Sequence, residues 1–397
     1  MDFRLTAEEE AFRKEVQDFI RENVPVDWPG VDPDTWQEDG VEEVHHFGQE
    51  IKRKLAAKGW IGLTWPKKYG GQEQPLIKQM ILEEELTYRG VPGLDPANLL
   101  VGGPTILLSG TEEQKQKYIP AICRGEIKFA EGMSEPNAGS DLANLQTKAI
   151  EQDDCYLLNG QKIWQSGAHL ADYSLAWVRT DPELPARKGV SCMIIPLKSE
   201  GVTMRRLTHM SGCPSFNEIF YDNVRVPKEN IVGGKNNGWG VLLATLANER
   251  TAGKNFIVNA RRDLDLMVKF CKETEVNGQP LAKDPLIRNR LAKMAVDLDV
   301  GRTLCYRLDW KVLNRQPVMA EGSRLKLYGG QLIKRMADLG IQLLGQYGQL
   351  NEKSKWVQLR GRMEYLYMAA IGMNFAGGTN EVTKNTVARS GLGLPRG

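Results

Sequence analysis

The usual devices for holding a metal or a disulfide scaffold are missing from this sequence. Its six cysteines (Cys123, Cys155, Cys192, Cys213, Cys271 and Cys305) include no CxxC pair, and its four histidines show no HxxxH or HExxH spacing. Both absences argue against a zinc site or a disulfide framework and fit a reducing, cytoplasmic setting. No run approaches ~18 uninterrupted apolar residues, so nothing reads as a membrane span. The opening Met1-Asp2-Phe3-Arg4, followed by Glu8, Glu9 and Glu10, lacks the basic start and apolar core of a signal peptide. Charge of one sign is also missing: 52 basic residues face 50 acidic ones, a net +2, which does not favour nucleic acid as a partner. Arg205-Arg206 reads as solvated surface or as a contact for a phosphorylated small molecule. No GxGxxG opens a βαβ unit and no P-loop is present, so a bound nucleotide is held by other means.

What is present is length and periodicity. A chain of 397 residues calls for two or three domains. Thr6 with Glu9 makes a capping box before the stripe Phe12, Val16, Phe19 and Ile20. Thr111 with Gln114 repeats it, and Pro120 is expected to end that helix. From about residue 124 the pattern turns to strands. Asn159-Gly160 between Tyr156 and Trp164 predicts a hairpin with a type I′ turn, and Val190 to Pro196 and Phe216 to Pro227 also read as strands.

Helical periodicity returns near 238. One long helix is expected through Trp239, Leu242, Leu246, Gly253, Ile257, Ala260, Leu264 and Met267. A second, opened by Asp284-Pro285, carries Ile287, Leu291, Met294, Leu298, Cys305, Leu308 and Val312. A third carries Leu325, Leu332, Met336, Leu339 and Leu343. Long helices with such spacing bury against one another or against another subunit. The fold class is mainly α with a central β-domain: residues 1–123 helical, 124–235 β and 236–397 a helical bundle.

The segment richest in chemistry is Met133-Ser134-Glu135-Pro136-Asn137-Ala138-Gly139-Ser140-Asp141. Its small residues and hydroxyls let backbone N–H groups approach a ligand, although alone it reads as a surface turn. Asn159 to Ala168, Asp222 to Pro227, Gly377-Gly378-Thr379-Asn380-Glu381-Val382 and Trp60 to Gly71 accompany it. In this order and across essentially the whole chain, these segments resemble the acyl-CoA dehydrogenase family. The resemblance implies an N-terminal helical domain, a barrel-like middle β-domain, a C-terminal four-helix bundle and FAD as cofactor. It places Met133 and Ser134 at the polar edge of the flavin ring, Trp164 against the ring and Ser166 near N5. Trp164 by itself would read as a core tryptophan. Ser140 matches a residue near the CoA pyrophosphate, and Thr379 and Glu381 match contacts on the adenosine side of FAD. Thr379 also reads as a helix N-cap.

The implied reaction is α,β-dehydrogenation of an acyl-CoA to the 2-enoyl-CoA, as in β-oxidation of fatty acids or steroid side chains. It needs a carboxylate base and donors to the thioester carbonyl. Many family members carry the base immediately before the Gly-Thr of the C-terminal motif, where this chain has Gly377. A second family arrangement places it before an arginine on the helix after the β-domain, which here is Ala247-Asn248-Glu249-Arg250. Leu242, Leu246, Glu249, Gly253 and Ile257 advance by four, three, four and four, which puts Glu249 on the apolar stripe. Burial there would raise its pKa above about 4.3. Glu249 reads as that base or as a buried ion-pair partner of a neighbouring helix. Arg250 orders the site, and the Gly377 N–H is a donor to the thioester.

The sequence departs from the family where a neighbouring subunit is reached. R-x-x-F-G-x-P is replaced by Thr274-Glu275-Val276-Asn277-Gly278-Gln279-Pro280, and Q-x-x-G-G appears as Gln342-Leu343-Leu344-Gly345-Gln346. The lost arginine removes a charge-assisted contact to the FAD diphosphate. The expected assembly is a tetramer, α2β2 with a related subunit, like the two-subunit enzymes acting on steroid side chains, cyclic or dicarboxylic acyl groups. Electron-transfer flavoprotein is the expected acceptor. A relative using oxygen and a non-catalytic structural subunit are the alternatives. Leu99 to Thr105 is expected to line the acyl pocket, its glycines leaving room for something bulky.

Overall fold

The computed structural model describes residues 4–31, 37–249, 251 and 253–395. Helices come first, among them a single turn at Gln37–Gly40 and five longer ones. The five are α1 (Ala7–Asn23), α2 (Glu42–Ala57), α3 (Leu76–Arg89), α4 (Gly103–Ser109) and α5 (Glu112–Cys123). Strands follow: β1 (Phe129–Gly132), β2 (Lys148–Glu151), β3 (Cys155–Lys162), β4 (Tyr173–Arg179), β5 (Val190–Pro196), β6 (Val202–Leu207), β7 (Phe216–Pro227) and β8 (Ile231–Val232). The chain then continues through α6 (Gly238–Glu249), α7 (Gly253–Glu273), α8 (Pro285–Leu313), α9 (Met319–Leu344), α10 (Arg362–Met373) and α11 (Asn380–Thr386). A short hairpin of β9 (Glu275–Val276) and β10 (Gln279–Pro280) lies between α7 and α8. The chain divides into two compact units. One holds residues 36–79 and 92–249, the other residues 1–35, 80–91 and 250–397.

In the first unit the strands form one sheet in the order β6-β7-β3-β2-β4-β5-β8, with β1 pairing parallel to β4. One face carries Ala130, Ala176, Val178, Met193 and Ile195, part of a buried core completed by Ile219, Val224 and Val226. The other face carries Leu175, Trp177 and Cys192, and there the Trp177 indole N–H donates to the Gly238 carbonyl at the start of α6 (2.9 Å).

Local capping chemistry is realised as the sequence implies. Both capping boxes form, on α1 and on α5. Asp284 accepts from the N–H groups of Leu286 and Ile287, with Pro285 at the first position of α8. The strands at Val190–Pro196 and Phe216–Pro227 have those bounds. Pro120, in contrast, lies inside α5, which continues to Cys123. Asn159-Gly160 makes no hairpin turn: β3 runs through it, with a bulge between Leu158 and Gly160 against β7. Asn159 is held there by the Asn223 N–H (2.9 Å), and a Cβ on Gly160 would meet Thr147 at 2.7 Å. The true turn lies earlier, closed by the Gln152 N–H on the Cys155 carbonyl (2.8 Å).

The long helix expected from residue 239 is two described helices, ending at Glu249 and restarting at Gly253. The register argument therefore holds only as far as Glu249. In the second unit α7 packs on α9, where a Cβ at Gly253 would lie 3.0 Å from the Lys326 backbone nitrogen. No helix of the described residues is long and apolar enough to cross a membrane.

Candidate active site

The 133–141 loop follows β1 directly and is pinned from behind. Lys162, fully buried at the end of β3, donates to the Met133 carbonyl (3.0 Å) and to Glu135 (2.9 Å). Glu135 also accepts from the N–H groups of Gln146 (2.5 Å) and Thr147 (2.9 Å). Lys162 and these donors hold the Glu135 carboxyl below its ordinary value against the cost of burial, and burial pushes the Lys162 ammonium down to about 8. The Ser134 carbonyl accepts from Ile163 (2.9 Å), while its hydroxyl makes no bond to protein among the described residues. Ser140 is exposed at the loop's outer turn. The sequence offered no sign of the Lys162–Glu135 pair beyond the alternation of β3.

Trp164 leaves β3 with φ +64° and its side chain 56% exposed. A bulky residue in the left-handed region is strained by roughly 1–3 kcal/mol, and such strain clusters at functional sites. The next residue supplies the restraint. Gln165 is fully buried, with its carbonyl bound to Asn217 (2.9 Å) and its side chain to Ser174 (2.9 Å). The Trp164 ring meets Phe216 edge-on at 5.9 Å, and the half-buried Ser166 hydroxyl has no protein partner among the described residues.

Glu249 is the last residue of α6 and is half-buried. Val241, Leu242 and Thr245 form the buried stripe beneath it. The Asn248 side chain donates to the Leu100 carbonyl (2.6 Å), and the Thr105 and Thr245 hydroxyls bond at 2.8 Å. These bonds seat α6 on a π-helical turn, Ala97–Gly102, and on α4; such turns recur at functional sites. The glycines there do not open space. A Cβ on Gly102 would meet the Phe129 ring at 3.0 Å, and one on Gly103 the Trp65 ring at 2.2 Å. They admit neighbouring aromatics, which corrects the expectation of room for a bulky group. Arg250 lies outside the described residues.

A residue that sequence reasoning missed also meets Glu249. Glu131 of β1 is pushed well above the carboxylate range by burial and then by the Glu249 charge. A signal was available: Glu131 shares strand parity with Phe129, which puts a carboxylate on an apolar face.

In the second unit, Gly377 and Gly378 have φ +62° and +99°, a conformation that disfavours any side chain. Lys326, nearly buried, donates to the Gly378 carbonyl (2.5 Å). Thr379 caps α11, its hydroxyl accepting from Val382 N–H (3.2 Å). Thr379, Asn380 and Glu381 line one cleft of about 420 Å³ with Gln331, Lys334 and Phe375.

Residues 6–126, 130–224 and 236–392 match, in that order, the N-terminal, middle and C-terminal domains of acyl-CoA dehydrogenases. The chain belongs to the acyl-CoA dehydrogenase family. It is 32% identical to acyl-CoA dehydrogenase FadE26 of Mycobacterium tuberculosis, covering 100% of this chain and 99% of that protein. It is 36% identical to the caffeyl-CoA reductase–Etf complex subunit CarC of Acetobacterium woodii, covering 79% of this chain and 84% of the relative. Among solved structures, the Tcur3481–Tcur3483 steroid ACAD superposes with a TM-score of 0.90 at 33% identity, with 100% of each chain covered. This acyl-CoA dehydrogenase is thus an oxidoreductase acting on CH–CH bonds, of a family that uses FAD. Its residues fit such a group: an aromatic held exposed on a strained backbone, two unengaged hydroxyls and a pinned loop are what a planar, polar-edged ring requires.

Proposed function

We propose that this acyl-CoA dehydrogenase removes the α-proton of an acyl-CoA thioester with Glu249 to give the 2-enoyl-CoA. The observation that carries the reading is a contrast. Glu249 stands half-buried at the end of α6, beside a segment tied to Leu100, whereas Gly377 has a φ of +62° that disfavours a side chain. The neighbouring Glu131 feels the Glu249 charge, and a positioned carboxylate is the kind of group that takes up an α-proton. FAD, when bound, supplies the acceptor of the β-hydride.

The remaining residues bind and orient. Met133 and Ser134 hold the polar edge of the ring, Trp164 covers it, and Ser166 donates near its reactive nitrogen. Ser140 meets the CoA pyrophosphate. Thr379 and Glu381, in their cleft, take the adenosine side, the Gly377 N–H donates to the thioester carbonyl, and Arg250 orders the substrate. Glu249→Gln tests the reading. Anaerobic bleaching of the flavin by acyl-CoA should vanish while FAD stays bound, and unimpaired bleaching would place the base elsewhere.

We also infer an α2β2 tetramer with a related subunit. The stretch matching the FAD-diphosphate arginine is here the β9–β10 hairpin, turned at Asn277-Gly278 with no arginine or aromatic. Gln342 is engaged by Arg290 (2.5 Å). The names of both CarC and the steroid ACAD describe assemblies. Expressed alone, this chain should hold less than one FAD per subunit, and a fully loaded homotetramer would sink the inference. An electron-transfer flavoprotein accepts the electrons on this reading; peroxide release without a carrier would point to oxygen instead. The likeness to a steroid enzyme favours a bulky cyclic acyl group, which a panel of acyl-CoA thioesters would test.

A further inference from the structure

Glu131 has no part in the chemistry above. It pairs in register with Leu175 of β4, which puts it on the sheet face that bears Leu175, Trp177 and Cys192 and is covered by α6. On that face Glu131 is a carboxylate among apolar side chains. Its side chain as a whole is half-buried, but Oε1 is sealed from solvent and has no hydrogen-bond partner among the described residues.

Among the described residues the titratable groups that face it are Glu249 from α6 and Cys192 from β5, and neither brings a positive charge. A buried oxygen left in this state costs stability unless another molecule completes it. Burial and the Glu249 charge both favour the protonated acid. A carboxylic acid is a neutral donor with acceptor capacity to spare.

We propose that Glu131 is a specificity-determining residue of the acyl pocket, a neutral carboxylic acid whose O–H is donated to an uncharged oxygen of the acyl group, a hydroxyl or a keto substituent. The inference rests on Glu249 as the base, because it is Glu249 that brings the acyl chain to this face of the sheet. A cationic acyl group fits less well. Held by both carboxylates, it would pair with the ionised base and weaken it as a proton acceptor.

The test uses the full-length, FAD-loaded protein and isothermal titration calorimetry at pH 7. The probes are an alkanoyl-CoA, its keto and hydroxy isomers with the oxygen moved along the chain, and an ω-trimethylammonio counterpart. One oxygenated isomer should bind the native protein about tenfold to a hundredfold more tightly than the alkanoyl-CoA. Glu131→Leu should erase that preference, and Glu131→Gln, which keeps an N–H donor, should retain most of it. An unchanged preference in Glu131→Leu, no preferred oxygenated isomer, or tightest binding of the cationic thioester would each overturn the proposal. Flavin bleaching by the alkanoyl-CoA, read in the same samples, reports the dehydrogenase reading separately. Bleaching without an oxygen preference removes the role of Glu131 alone, whereas an oxygen preference without bleaching removes the proposed reaction.

Discussion

Glu131 and Glu135 stand four residues apart, yet their surroundings drive them in opposite directions. Glu135 is nearly buried but has Lys162 and two backbone N–H groups, which hold its carboxyl low. Glu131 Oε1 has no hydrogen-bond partner among the described residues, and burial and then the charge of a second carboxylate drive its carboxyl up. Burial is common to both and compensation is not. A compensated charge fixes the loop, whereas an uncompensated one costs stability that only a ligand or a reaction repays.

The largest effect that can break this comparison falls on Glu249, the carboxylate that meets Glu131. Glu249→Gln should slow flavin reduction by acyl-CoA about a thousandfold, the scale of a lost general base, with little change in the denaturation midpoint. If the midpoint falls instead and reduction survives, Glu249 belongs with Glu135 as a structural charge. On the compensated side, Lys162→Met leaves Glu135 buried without its cation. Loss of a buried partner costs about 3–5 kcal/mol, measurable by urea unfolding. A loss below about 1 kcal/mol would mean that the backbone donors suffice.

The two carboxyls should also give opposite pH slopes. Glu135 has a folded pKa below its ordinary 4.5, so the stability it contributes is present above that value and is lost as pH falls through the folded pKa. Glu131 has a folded pKa well above 4.5, so its contribution is present below 4.5 and is lost as pH rises toward the folded pKa. Each accounts for at most about 1.4 kcal/mol per pH unit within its window. Glu135→Gln should therefore flatten the acid side of the stability curve, and Glu131→Gln the decline above 4.5. Equal effects of both substitutions on one limb would contradict the contrast.

What could be read from the sequence follows the same division between local and assembled chemistry. Thr6 with Glu9, Thr111 with Gln114, Asp284-Pro285 and Thr379 cap helices through bonds within three residues, so their types and spacing suffice. The bounds of β5 and β7 were legible in the sequence, and both strands end at a proline. Asn159-Gly160 misled because its conformation is set by Asn223 and Thr147 across the sheet, not by its own preference for turns. Gly102 and Gly103 suggested open space, and the structure fills them with Phe129 and Trp65. The approach of Glu131 to Glu249 depends on α6 packing on the face of β4 and β5, more than a hundred residues from β1 in sequence. No pattern within β1 reports that.

The smallest predicted effect separates strain from contact at Trp164. At φ +64° a non-glycine residue carries a backbone cost of about 1–3 kcal/mol, and the side chain is mostly outside the core. Trp164→Ala keeps that cost and loses the ring, whereas Trp164→Gly loses both but adds flexibility to the unfolded chain. Trp164→Gly should therefore be more stable than Trp164→Ala by up to about 1 kcal/mol. Both should release flavin about twofold to tenfold more readily, since an aromatic stacking contact is worth roughly 0.5–1.5 kcal/mol. Flavin fluorescence on dilution and thermal unfolding of the flavin-free chain measure the two quantities separately. If Trp164→Gly instead loses stability and keeps its flavin, the strained backbone serves packing against Phe216, and the ring contact must come from another side chain.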